Sequence, residues 1–194
     1  MNYRKLVLGL LVLAITVSAY AAGGSPAPRA ETETRKLIVY FSLTGNTRFV
    51  MEHIQTLTGA DVFEIVPVNP YSQEFRVTLD RVRRERESGY LPQLASRVGN
   101  LADYDVIFIG SPNWFGTLSR PVLSFIKSHD LSGKTIVPFI THGTGGFQNT
   151  IRDLRALLPN STILEEFGVF DRNLANSLPA ITQWLGRIGM LRQN

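Results

Sequence analysis

Cysteine is absent from all 194 residues. That excludes thiol nucleophiles, thiolate metal sites and disulfide staples, and leaves stability to a packed core. Histidine is nearly as scarce, with only His53, His129 and His142, and nothing pairs them at metal-ligand spacing. No acidic residue lies close to His142 in sequence, so a Ser-His-Asp triad has no local support. An excess of one charge is lacking too: 20 basic residues against 16 acidic give a formal net charge of +4. Such a balance carries no nucleic-acid footprint. Neither the Gly-x-x-x-x-Gly-Lys-Ser/Thr phosphate loop nor the Gly-x-Gly-x-x-Gly dinucleotide turn occurs, and there is no internal repeat.

The first 21 residues have the order of a secretory signal. Arg4 and Lys5 are followed by the uncharged apolar stretch Leu6 to Val17 and by Ala19-Tyr20-Ala21, an A-x-A site. Cleavage after Ala21 is expected, which makes the protein exported, to a periplasm or the medium. Membrane contact then arises only if the signal stays attached. Loss of Arg4 and Lys5 lowers the formal charge to about +2. Residues 22–34, rich in Gly, Pro, Ser, Ala and alternating Glu and Thr, read as a linker. Residues 35–194 are long enough for one domain with a single core.

Within that domain, apolar runs alternate with helical spacing. Lys36 to Phe41, Val62 to Val66, Val106 to Gly110, Thr135 to Thr141 and Thr162 to Phe167 read as strands. Val50, Ile54 and Leu57 mark a first helix. Val122, Phe125 and Ile126 mark another, with Ser119 as its cap and Pro121 in its first turn. Ile151, Leu154 and Leu158 mark a third, and Leu178, Ile181, Leu185 and Ile188, capped by Ser177, a last one. Such alternation implies a parallel sheet covered on both faces, with ligands beyond the carboxyl ends of its strands. Tyr71 to Gly99 interrupts the pattern. Phe75, Leu79 and Val82 give it one apolar edge, and the pairs Asp80–Arg84 and Arg83–Glu87 read as a solvated face.

Three loops leave strand ends on one edge of this sheet. The first, Ser42-Leu43-Thr44-Gly45-Asn46-Thr47, sets hydroxyls and one glycine at a helix N-terminus, where free N–H groups and a partial positive charge suit a phosphate monoester. The second, Ser111-Pro112-Asn113-Trp114-Phe115-Gly116-Thr117, offers two adjacent aromatics on which a flat ligand can stack. The third, Thr141-His142-Gly143-Thr144-Gly145-Gly146-Phe147, brings backbone groups close to a heteroaromatic edge through its glycines. Cradle, platform and edge-reader together describe FMN.

From about Lys36 to Leu191 the chain resembles the flavodoxins, and more closely a flavodoxin-like subfamily whose second loop reads Gly-x-Pro-x-Trp-aromatic-Gly, here Gly110 to Gly116. The resemblance implies an α/β, doubly wound, five-stranded parallel sheet of order 2-1-3-4-5. It implies that Ser42, Thr44, Asn46 and Thr47 hold the FMN phosphate, with Gly45 making the turn. Pro112, Trp114 and Phe115, with Asn113 and Gly116 in the same loop, would meet the isoalloxazine, and Thr141, His142, Gly143, Thr144 and Gly145 its pyrimidine edge. His142 reads as lining the flavin rather than acting as a base. The expected function is electron transfer, or a small NAD(P)H- or quinone-linked FMN oxidoreductase, with a redox protein or a small acceptor such as a quinone as partner. A cofactor-free interaction module on the same fold is the alternative. The three loops contain no Asp or Glu, and Arg48 and Arg120 flank two of them. A reduced, negatively charged flavin is therefore expected to meet little opposing charge.

Overall fold

The computed structural model describes residues 34–192. The expected signal, 1–21, and all but the last residue of the expected linker lie outside them. Among the described residues no helix is long and apolar enough to cross a membrane.

β1 (Lys36–Tyr40) leads through the hydroxyl turn into α1 (Asn46–Thr58) and β2 (Asp61–Glu64). After α2 (Phe75–Ser88) come β3 (Val106–Trp114), the short β4 (Thr117–Leu118) and α3 (Arg120–Ser128). β5 (Thr135–His142), α4 (Thr150–Leu157), β6 (Thr162–Ile163), β7 (Phe167–Phe170) and α5 (Leu178–Arg187) complete the chain, with a 3-10 segment, Asp171–Ser177, before α5. The parallel strands run β2-β1-β3-β5, and β6 and β7 both pair with β5. The expected order 2-1-3-4-5 is therefore present, with its fifth place shared by two short strands.

Alternation along the pleat builds the core. Leu37 and Val39 of β1, Ile107 and Ile109 of β3, and Ile136 and Ile140 of β5 face α2, α3 and α4. Ile38, Tyr40, Phe108, Val137 and Phe139 face the other way, against Val50, Met51 and Ile54 of α1 and Ile181, Trp184 and Leu185 of α5. Trp184 is fully buried, and its indole N–H donates to the Glu165 carbonyl at 3.0 Å. Apolar surface on both faces of the strands is what forces a helix layer on each side.

Three local expectations differ from the structure. The third strand does not stop at Gly110 but runs to Trp114 and turns back antiparallel as β4, with Asn113 opposite Leu118 and Trp114 opposite Thr117. Phe115 and Gly116 form its two-residue turn, both at positive φ (54° and 81°), the backbone that suits a twisted hairpin. The fifth strand breaks at Leu164 and resumes at Phe167, ending at Phe170 instead of Phe167. On α2, the expected pairs give way to Arg81–Glu85 (2.8 Å) and Arg83–Asp80 (3.4 Å), because Thr78, Val82 and Glu85 form its buried stripe.

Gly110 marks the tightest point of the sheet. A Cβ there would run into the Phe139 ring and lie 2.8 Å from the Tyr40 Cβ. Gly110→Ala is expected to destabilise the fold by about 1–3 kcal/mol through overpacking, read as a lowered urea midpoint at unchanged m-value.

Candidate functional site

The carboxyl ends of β1, β3, β5 and β7 open into a cleft of about 410 Å³, within the range of small-molecule sites. Its floor is the hydroxyl turn. Gly45, at φ 90°, stands in the N-cap position of α1 and makes no side-chain cap bond. The first bond of the helix is Phe49 N–H to the Gly45 carbonyl at 2.9 Å. The N–H groups of the opening turn thus stay available, as at any helix start. The turn's hydroxyls are not used as caps. Ser42 Oγ is buried without a partner. The Thr47 hydroxyl, 1 % exposed, meets that of Thr141 at 2.9 Å, tying the first loop to the end of β5. Such a pair leaves one O–H free to donate elsewhere.

The hairpin forms one wall. Trp114 is held edge-on by Phe41 (centroids 5.4 Å apart) and by Tyr71 (5.1 Å). Asn113 lines the cleft, yet its amide is committed: it donates to the Gly146 carbonyl (2.6 Å) and accepts from Gly116 N–H (2.9 Å). It clasps the second loop to the third. Ser111 is fully buried, and its Oγ accepts the Ser119 N–H at 2.9 Å. Ser119 occupies the cap position of α3, but its hydroxyl meets Ser111 instead of the helix backbone. At the end of β5, His142 packs on the Phe170 ring (6.1 Å, 24°), and its Nδ1 is buried without a partner.

Ser42, Thr44, Asn46, Thr47, Pro112, Asn113, Trp114, Phe115, Thr141, His142 and Gly143 all line the cleft. Gly45, Gly116, Thr144 and Gly145 do not. Gly45 and Gly116 shape turns behind it, and Gly145 packs against the Gln148 side chain. Sequence reasoning missed a further wall, made by Gln73 just before α2 and by Phe75, Thr78, Leu79 and Val82 along its first half. The spacing of Phe75, Leu79 and Val82 was visible but read only as one apolar edge of a solvated helix. The Gln73 amide donates to the Leu43 carbonyl at 3.0 Å and pins this wall to the first loop. Asp171 was missed as well. It follows β7 directly, lines the cleft, and keeps a buried Oδ1 without a partner. Placing the fifth strand's end at Phe167 hid this fourth loop. The cleft therefore holds a carboxylate that the three loops lack. The flanking cations are occupied elsewhere: Arg48 pairs with Glu64 at 2.5 Å, and Arg120 donates to the Tyr90 and Glu85 carbonyls. Among the described residues no cluster of three potential metal ligands occurs.

The profile of the flavodoxin family matches residues 35–188. The chain belongs to the flavodoxin family. A solved protein of Bacteroides eggerthii DSM 20697, described as a flavoprotein, is 30% identical with a TM-score of 0.69, and the match covers 80% of this chain and 98% of that one. One from Bacteroides uniformis ATCC 8492 is 29% identical, with 79% and 98% coverage and a TM-score of 0.70. A Lactobacillus acidophilus NCFM flavoprotein, solved in complex with FMN, shares the fold at 18% identity, 74% and 97% coverage and a TM-score of 0.60. Comparison with curated proteins gave no match.

In this family member the tryptophan wall rests on an ionic network. The Tyr71 hydroxyl donates to Glu85 Oε2 at 2.6 Å, Arg81 donates to Oε1 at 2.8 Å, and the Arg81 guanidinium lies 3.8 Å from the centre of the Tyr71 ring. Burial, then the Glu85 bond, pushes the Tyr71 phenol far above its ordinary value, so it stays a donor. Glu85 is 5% exposed and depends on both donors. Tyr71→Phe keeps the ring against Trp114 but removes one charge-assisted bond. A loss of about 1.5–3 kcal/mol in unfolding free energy is expected, with the tryptophan emission maximum unchanged.

Proposed function

We propose that this protein binds FMN in the cleft and works in electron transfer or as a small FMN-dependent oxidoreductase. The observation that carries the reading is that, of the three buried, partnerless polar atoms on residues lining one cleft (Ser42 Oγ, His142 Nδ1 and Asp171 Oδ1), Ser42 Oγ and His142 Nδ1 lie on the two loops expected to meet a phosphate and a ring edge. Buried polar atoms without a partner cost about 1–3 kcal/mol each, and a ligand with a phosphate at one end and a polar heteroaromatic edge at the other relieves both. The residues present fit FMN in that sense.

Ser42, Thr44, Thr47 and the first N–H groups of α1 would hold the phosphate, with the helix dipole adding to the attraction. Trp114 and Phe115 would bound the ring on the hairpin side, and Leu79 and Val82 would exclude water from the α2 side. His142 and the Gly143 backbone would meet the ring's polar edge. The cofactor itself supplies the one- and two-electron chemistry. The chain's own part is to bind it, orient it, and set the charge around it. Asp171 adds a carboxyl group to that surrounding, so the expectation that a reduced flavin meets little opposing charge gives way to a site with one half-buried carboxyl group whose Oδ1 has no partner. Export rests on the order of residues 1–21 alone and belongs to the same proposal.

Ser42→Ala separates this reading from a merely structural turn. Because Ser42 Oγ has no partner in the protein, the FMN-free variant should keep its melting temperature or gain slightly. Its affinity for FMN should fall by about 1.5–3 kcal/mol, the value of a bond to a charged group, while that for riboflavin, which has no phosphate, should hardly change. Isothermal titration with both ligands checks this, and equal losses for FMN and riboflavin would refute the phosphate assignment.

A further inference from the structure

Among the described residues, two that are not glycine have positive φ: Phe115 at 54° and Gln148 at 45°. A long side chain adopts that backbone at a cost, and only where its surroundings impose it. The two positions meet. Phe115 and Gly116 form the tip of the β3–β4 hairpin, and Asn149, the residue after Gln148, donates its N–H to the Gly116 carbonyl at 2.9 Å. The Gln148 side chain reaches both loops. A Cβ on Gly145 would collide with its Nε2, and one on Gly116 would lie 2.5 Å from its Oε1. The amide thus occupies the space that side chains at both positions would need.

The strain at Gln148 is imposed from either side of it. The Phe147 ring packs on the core and over Gly168 of β7, where a Cβ would lie 2.6 Å from the ring. The Phe147 carbonyl accepts the Thr150 N–H at 2.8 Å. With Phe147 anchored and Asn149 bonded to the hairpin, Gln148 joins them through the left-handed region. The hairpin is fixed in its turn. Asn113 accepts the Gly116 N–H and donates to the Gly146 carbonyl, and Thr117 donates to Asp153 of α4 at 2.7 Å. Gly or Asn would hold either strained position at less cost. Strain kept on both sides of one contact, between the loop of Trp114 and the loop of His142, points to a use there.

We propose that Gln148 is a positioning residue. It holds the Asn149 N–H on the Gly116 carbonyl and fills the notch between Gly116 and Gly145, so that the Trp114–Phe115 wall and the His142–Gly143 loop face a flavin at a fixed spacing. The inference rests on the FMN reading and adds to it what sets the distance between the two loops that meet the ring. A spacing set in advance spares the cost of ordering those loops on binding. Gln148 itself does not line the cleft.

The test uses the full chain with Gln148→Gly and Gln148→Met. Glycine removes side chain and strain together, whereas methionine keeps an unbranched chain of similar length without the amide. Amide hydrogen exchange in the FMN-free protein, followed by NMR, should show the Asn149 N–H exchanging about tenfold faster in Gln148→Gly, with the β3 amides unchanged. Isothermal titration should show its FMN affinity lowered about tenfold. Its melting temperature should be no lower than the parent's, because relief of the strained backbone offsets glycine's extra freedom in the unfolded chain. Gln148→Met should restore most of the affinity and the slow exchange. Unchanged FMN affinity in Gln148→Gly would overturn this inference alone. So would loss of β3 protection and melting temperature along with affinity, the mark of an ordinary packing residue. An equal loss of affinity in Gln148→Met would give the amide to the ligand and overturn it as well. Failure of the parent protein to take up FMN would overturn the FMN reading and this one together.

Discussion

The structure depends on β1, β3 and β5 being buried on both faces. A strand in that position has no solvent side, so its residues are apolar in both directions, as Leu37 to Phe41, Val106 to Ile109 and Ile136 to Ile140 are. Polar chemistry is then pushed to where the strands end. The turn after β1, the hairpin at the end of β3, and the residues after β5 and β7 are the places where hydroxyl, imidazole and carboxylate groups can gather in one spot. The Thr47–Thr141 hydroxyl pair and the Asn113 clasp lock three of these ends together. The cleft is a consequence of the sheet.

This explains which parts were legible in the sequence. Strand runs and helix spacing gave the α/β order, because burial on both faces leaves unbroken apolar runs. The hydroxyl turn and the Trp114-Phe115 pair stood out because nothing in a core pattern calls for them there. Less legible was anything set by long-range packing. Phe75, Leu79 and Val82 have the spacing of one apolar helix edge, and only the placement of α2 over the strand ends turns that edge into a cleft wall. Asp171 lay four residues beyond the expected end of the fifth strand, because β7 runs on to Phe170. Likewise, Asn113 reads as a ligand-facing amide until its bonds to the Gly146 carbonyl of the neighbouring loop and to the Gly116 N–H of its own are seen. Arg48 looks like a cation for the cleft until Glu64 claims it.

The site's electrostatics follow from the same placement. Buried Glu85 is paired with Arg81 and accepts from the Tyr71 hydroxyl, and the Tyr71 ring packs in turn on Trp114. Asp171 faces the cleft with no such partner. One carboxylate paired on the core side and one without a partner in the cleft is a different charge pattern from the even balance of the whole chain.

The central claim is that the hairpin tryptophan bounds a bound flavin. Only two tryptophans are present, and Trp184 is fully buried among Phe167, Ile181 and Leu185 on the opposite face of the sheet. Titration of the purified protein with FMN, followed by tryptophan fluorescence in the parent and in Trp114→Phe, separates the two. The account predicts saturable quenching at one FMN per chain in the parent, and loss of most of that quenching in the variant. Absence of saturable binding, or quenching that survives intact in Trp114→Phe, would contradict it.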